Sequence, residues 1–238
     1  MNTTTFRILG SCLFLSAFSA ARAEGNLGAF TDHGDIGSVS QPGTAVFDGA
    51  KDTFTIAAAG ANMWAKVDAM QFVWKKKTGD FSISADIAFV GASTPPHRKA
   101  CLVIRQDLDP GSAYVDVAQH GSGLTSLQFR AAKDGLTKEI ECMTDGPTRV
   151  RLDRIGDDIY LSVGYAGGKP APSGASFKLH MTDPVYVGLA VSAHDDKAFE
   201  TAVFSHVEIG SSSSDAAVPQ PGLRVITLPT GDKRVTDH

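Results

Sequence analysis

An all-β fold, an antiparallel β-sandwich of jelly-roll type, is what this 238-residue sequence predicts, from three observations. Short segments that alternate apolar and polar residues recur from about residue 28 to 209. Gly, Pro, Asp and Ser separate them at the spacing of turns. A helical period sustained over a dozen residues is hard to find anywhere in the same region. Many short strands of this kind fold as sandwiches or jelly rolls, in which each strand turns one face to the core.

The first 23 residues stand apart. Arg7 precedes the apolar run "ILGSCLFLSAF", and "ARA" precedes Glu24. This pattern predicts a secretory signal peptide with a small-x-small cleavage site, too short and wrongly flanked for a membrane span. "LGSC" is a weak lipobox match, because the apolar run lies mostly after Cys12. The expected organisation is a signal peptide at 1–23, a sandwich at 24–209, a Ser/Pro/Gly-rich linker at 210–222 ("GSSSSDAAVPQPG"), and residues 223–238 as a short strand or the start of a missing domain. The expected location is periplasmic or secreted.

Cleavage would remove Arg7 and Arg22 and no acid, moving the net charge from −4 to −6 (20 basic against 26 acidic residues). An acidic chain lacks the basic footprint that nucleic acid or an anionic membrane requires. Beyond the leader no segment is apolar enough to span a bilayer. Cys101 and Cys142 would then remain, either as one disulfide or as two separate buried thiols. Two cysteines are too few for a cysteine-based zinc site.

Within the sandwich, "FSISADIAFV" puts Phe81, Ile83, Ala85, Ile87 and Phe89 on one face and Ser82, Ser84 and Asp86 on the other. "RIGDDIY" predicts a hairpin turn between two alternating runs. Parity also identifies candidate binding residues. In "KACLVIR", Ala100, Leu102 and Ile104 suit the core, which leaves Lys99, Cys101, Val103 and Arg105 outward. In "AYVDV", Tyr114 and Asp116 face outward; in "SLQFR", Ser126, Gln128 and Arg130 do; in "VYVGLAVSAHD", Tyr186, Ser192 and His194 do. If these strands share one curved sheet, the outward set makes a concave surface of Lys, Arg, Gln, Tyr and His. Such a surface suits sugars, whose hydroxyls meet planar donors and acceptors and whose apolar faces meet aromatic rings. A wet outer sheet face with no ligand carries the same pattern.

In "NMWAKVDAMQFVWK", parity places Met70, Phe72 and Trp74 together on the core face and Gln71 opposite, where it would join the groove. Trp64 precedes that strand in a loop-like context and is either packed in the core or a sugar platform. Glycosidic hydrolysis needs two carboxylates, and "KEIECM" places Glu139 and Glu141 on one strand face. A turn follows at once and the pair is taken as a solvated face, so no catalytic residue is expected. The seven histidines lack zinc-type spacing, and no Gly-x-Ser-x-Gly elbow occurs. Asp32, Asp35, Asp48 and Asp52 could supply oxygens to calcium but fall where turns need Asp. No metal or other cofactor is predicted.

The order of "FTDHGDIGSVSQPGTAVFDGAKDTFTIAAAGANMWAKVDAMQFVWKKKTGDFSISADI", "HRKACLVIRQDLDPGSAYVDV", "GLTSLQFRA", "TRVRLDRIGDDIYLSV" and "VYVGLAVSAHD…TAVFSHVEI" resembles a bacterial family of extracellular concanavalin A-like jelly rolls, often labelled "regulation of enolase" proteins. The resemblance spans about residues 29–209. It implies an accessory module of glycoside hydrolases or sugar-related proteins, binding carbohydrate on the concave face of the sandwich. The tail "LRVITLPTGDKRV" looks like the first strand of a TolB-type β-propeller. The chain departs from the family pattern at Cys101, where glycine is usual, and at His97, where tryptophan is common. "GYAGGKPAPSGASFK" replaces the hairpin after Val163. These departures bear on the ligand more than on the fold.

The expected function is therefore an exported, non-catalytic module that binds a glycan or polysaccharide. Its contacts would be Lys99, Arg105, Tyr114, Gln128, Arg130 and His194, joined by Gln71 and Trp64. The alternative is a protein-interaction or structural domain, the N-terminal remnant of a TolB-like propeller protein. A third reading is a glycosidase using Glu139 and Glu141.

Overall fold

The structure, a computed structural model, describes residues 25–92, 95–144, 146–212, 224–228 and 230–236. The predicted leader at 1–23 and most of the 210–222 segment lie outside the described residues. The first strands are β1 (Asp32–Ile36), β2 (Thr44–Asp48), β3 (Thr53–Ala58), β4 (Met63–Trp64), β5 (Val67–Asp68), β6 (Met70–Lys77) and β7 (Phe81–Phe89). Then follow β8 (Lys99–Arg105), β9 (Tyr114–His120), β10 (Thr125–Arg130), β11 (Lys138–Cys142), β12 (Arg149–Ile155) and β13 (Asp158–Gly164). The last are β14 (Ala171–Lys178), β15 (Val185–Ser192), β16 (Glu200–Gly210), β17 (Arg224–Thr227) and β18 (Lys233–Thr236). Among the described residues there is no helix.

Two sheets pack face to face. One has nine strands in the order β1-β6-β15-β8-β9-β10-β11-β18-β17, and the other seven in the order β14-β13-β12-β7-β16-β3-β2. All pairings are antiparallel except that of β18 with β11. Strands adjacent in space but distant in sequence, such as β15 between β6 and β8, give the crossed connections of a jelly roll. The inner faces form the main core. Ile83, Leu102, Val117, Leu127, Leu189 and Phe204 are all buried there.

Alternation explains this layering strand by strand. Phe81, Ile83, Ala85 and Ile87 of β7 enter the core and Phe89 packs against it. Ser84 and Asp86, on the other face of β7, meet the Arg149 guanidinium. The β12–β13 hairpin turns at Gly156-Asp157, where Gly156 takes φ +58°, a conformation that favours glycine. In β15, Val185, Val187, Leu189 and Val191 face inward. Gly188 has no room for a side chain, because a Cβ there would lie 1.8 Å from the Val73 carbonyl oxygen.

Both cysteines are free and buried, so the disulfide alternative is not realised. Cys142 belongs to the main core, whereas Cys101 lies on the outer face of the nine-stranded sheet. The early aspartates serve backbone turns: Asp35 accepts from the Gly43 N–H, and Asp48 from those of Ala50 and Lys51. The C-terminal residues 224–236 form a β17–β18 hairpin on the sheet edge, where Val235 joins the main core.

Candidate functional site

The outer face of the nine-stranded sheet is not a bare surface. Residues 59–69, which include the β4–β5 hairpin, fold back across it. A second apolar cluster forms beneath them from Met63, Met70, Phe72, Trp74, Cys101, Val103, Ala118 and Ala190. The hairpin is pinned by charge as well as by apolar contact. Asp68 accepts from Arg130 Nη1 and Nη2 at 3.0 and 2.8 Å, a two-point pairing, and Arg105 Nη2 lies 3.5 Å away. Arg130 also donates to the Ser112 and Ala65 carbonyls, and Arg105 to those of Asp107 and Asp109. Thr137 holds the hairpin tip by donating to Ala65 O from both its N–H and its hydroxyl.

This covering corrects three of the eight predicted site residues. Arg105, Tyr114 and Arg130 face outward as parity requires, yet each is 0 % exposed. The Tyr114 hydroxyl lies 3.3 Å from Thr137 Oγ1, and its ring packs under the Arg130 guanidinium. These three hold the chain's own hairpin and are closed to a ligand. Gln71 is corrected for a different reason: the faces of β6 are reversed. Met70, Phe72 and Trp74 point under the hairpin, while Val73 joins the main core. Gln71 shares the side of Val73, where its amide lies 2.7 Å from His33 Nδ1. The run "MQFVW", apolar except for Gln71, alternates between two apolar environments here, so hydrophobicity alone could not tell the faces apart.

Beyond the hairpin the same face opens into a cleft of ≈ 270 Å³, and this is where Trp64, Lys99, Gln128 and His194 come together. Asn62, His97, His120, Leu124, Glu139 and Glu141 complete its lining. Lys99 connects the cleft to the hairpin. Its ammonium donates to Asn62 Oδ1 at 2.7 Å and to Met63 O at 2.9 Å, and lies 5.3 Å from the centre of the Trp64 ring. Burial lowers the Lys99 pKa, while the nearby Asp116 opposes that shift. Asp116 is itself wholly buried beside Cys101, and the loss of water raises its pKa to about 8.

At the opposite wall a chain of polar contacts runs along neighbouring strands. His120 donates from Nδ1 to Leu124 O at 3.1 Å, which leaves Nε2 to accept from the Gln128 amide at 3.4 Å. Burial holds its pKa down to about 3, so the ring is neutral at ordinary pH. The same amide lies 3.4 Å from Glu139 Oε2, and burial raises the Glu139 pKa. Glu141 is ion-paired to Arg234 on β18, so the C-terminal hairpin forms part of this wall. His97 stands 5.6 Å from His120 and 5.3 Å from His194, ring centre to ring centre. His194 follows the end of β15 in a left-handed conformation, φ +57°. Among the described residues no group of three or more His, Cys, Asp or Glu is placed to hold a metal ion.

The sequence reading missed His120, Asn62 and His97 as members of this cleft. Continuing the β9 parity from Tyr114 and Asp116 through Ala118 reaches His120 on the same face, so that signal was present. His97 stood out only against the pattern that the sequence resembles. Nothing local marks Asn62.

No family model matches the chain, and no curated protein matches it. Solved structures do. A functionally unknown protein from Saccharomyces cerevisiae aligns at 13% identity and a TM-score of 0.54, covering 74% of this chain and 100% of that one. Lectin I-B4 from Griffonia simplicifolia, in metal-free form, aligns at 10% identity and 0.48, covering 72% and 92%. Alginate lyase A1-II', a member of polysaccharide lyase family 7, aligns at 12% and 0.46, covering 71% and 83%. The fold is a jelly-roll β-sandwich. Identities this low carry the fold and nothing finer.

Proposed function

We propose that this chain is an exported, non-catalytic module that binds carbohydrate in the Trp64 cleft, and that it belongs with the jelly rolls labelled "regulation of enolase". The observation that carries the binding reading is the indole of Trp64, half-buried at the cleft wall and opposed by a wall of amide, imidazole and carboxylate groups. An aromatic face packs on the apolar face of a sugar, and Asn62, Gln128 and Glu139 are the planar groups that meet hydroxyls. Lys99 holds the indole in place from below through Asn62, Met63 and the ring itself.

Two contacts favour binding over hydrolysis. Glu141 is engaged by Arg234, and Glu139 accepts from Gln128, so among the described residues the cleft offers one unpaired carboxylate where glycosidic hydrolysis uses two. Export is proposed from the leader alone. The rival reading, an interaction domain at the head of a TolB-like propeller, rests on the tail, whose pairing with β11 supports counting residues 224–236 with the sandwich instead.

A glycan array and affinity electrophoresis on soluble polysaccharides, with Trp64→Ala beside the wild type, test the proposal. Binding that Trp64→Ala abolishes supports it. No binding to any glycan, or binding indifferent to Trp64, overturns it. Bond cleavage of a bound polysaccharide that is lost in Glu139→Gln would replace it with the glycosidase reading.

A further inference from the structure

The cleft has two chemically different ends. Lys99, His97 and His194 gather at one, Glu139 with the Arg234-paired Glu141 stands at the other, and the neutral His120 lies between, joined to Glu139 through Gln128. Three imidazoles and a buried ammonium in one cleft are unexpected in a chain with 22 basic and 26 acidic residues. We propose that the cleft selects sugars bearing an anionic substituent, a ring carboxylate or a sulfate, which docks between His97, His194 and Lys99 while ring hydroxyls donate to Glu139. This rests on the carbohydrate reading above and names the ligand class within it.

The cationic end of the cleft lacks a full countercharge. His97 has ring contacts with both neighbouring histidines, and it is exposed to an arriving ligand. Lys99 spends two of its three protons on Asn62 and Met63, which leaves one donor. The buried Asp116 behind it holds its own proton up to about pH 8 and so does not neutralise the ammonium near pH 5.5. His194 is half-buried and meets Lys99, His97 and its chain neighbour Asp195. Burial, then Lys99, then His97 lower its pKa, and Asp195 opposes them. An anion placed among these groups supplies the missing countercharge, so its binding draws a proton onto His194. The carboxylates of the cleft offset this end only in part: Glu141 is spent on Arg234, and Glu139, which accepts from Gln128, acts on Lys99 less than Asp116 does.

Calorimetry on the full chain with pairs matched in sugar backbone and differing in charge tests this: oligogalacturonate against its methyl ester, and a sulfated galactan against the desulfated form. The anionic member of at least one pair should bind about tenfold tighter near pH 5.5, the effect of one charge-assisted hydrogen bond. Its advantage should shrink by about threefold or more near pH 8, with proton uptake read from the buffer dependence of the enthalpy. Which pair responds separates carboxylate from sulfate. His194→Asn, chosen because Asn tolerates the left-handed backbone, should remove the proton uptake. His97→Gln, at an exposed position, should reduce the anionic preference without disturbing the fold. Equal or weaker binding of the anionic members overturns the proposal and leaves the carbohydrate reading standing, as does a preference unchanged in both variants. No binding of any glycan, charged or neutral, overturns both.

Discussion

The outer face of the nine-stranded sheet carries two regions built from the same strands at the same parity. One is sealed: Arg105, Tyr114 and Arg130 lie under the β4–β5 hairpin around Asp68. The other is open: Lys99, Gln128, Glu139 and His194 line the cleft beside Trp64. In β8, Lys99 and Arg105 are six residues apart on one face, yet one bounds the cleft and the other is an anchor. The difference lies in what covers each, and it shows that a long cationic side chain on a sheet face can tie down the chain's own loop instead of meeting a ligand. The sealed region also supplies the rigidity of the open one, since Trp64 sits on the hairpin that Arg130 and Asp68 hold down.

The contrast can be broken most severely at Asp68. Asp68→Asn leaves two buried guanidiniums without their shared countercharge, and should cost about 3–5 kcal/mol of stability in urea unfolding. Gly188→Ala should cost about 1–3 kcal/mol in the same assay, because its methyl group meets the Val73 carbonyl and the backbone must shift. In the open region, Trp64→Ala should instead lower glycan affinity about tenfold or more while changing stability by only about 1 kcal/mol, seen by pairing calorimetry with thermal melts. A Trp64→Ala loss of stability as large as that of Asp68→Asn would erase the distinction between the regions.

Asp116 lies between the two and sharpens the comparison through pH. Its folded pKa, about 8, is raised above the ordinary carboxylate value of 3.8. The folded state therefore keeps its proton where the unfolded state has lost it. The stability it contributes is complete below the unfolded value and is lost as pH rises through the folded one. The wild type should lose stability relative to Asp116→Asn as pH rises across that window, measured by melts from pH 4 to 9. Smallest of all, Arg234→Ala should cost no more than about 1 kcal/mol, because the Glu141 pair is partly solvated. An effect on glycan binding there would mark the C-terminal hairpin as a working wall of the cleft.

Most of the sandwich was legible in the chain. Alternation in "FSISADIAFV", "KACLVIR" and "SLQFR" named the core-facing residues of β7, β8 and β10, and "RIGDDIY" named the β12–β13 turn. The site was legible only in part. Lys99, Gln128, His194 and Trp64 reach the cleft, whereas Arg105, Tyr114, Arg130 and Gln71 do not. The sequence hid the first three of these because burial by a distant segment leaves no trace in local periodicity. It hid Gln71 because a strand apolar on both faces has no readable parity.

By itself, then, the sequence determined which residues share a side of each strand, since a period of two is a local property of extended backbone. The tertiary structure decided which of those sides meets water. That choice depends on residues 59–69 crossing the sheet and placing Asp68 against Arg130, a contact between positions 62 residues apart. No local pattern encodes such a pairing, and it converts one arginine-rich face into both a sealed anchor and an open cleft.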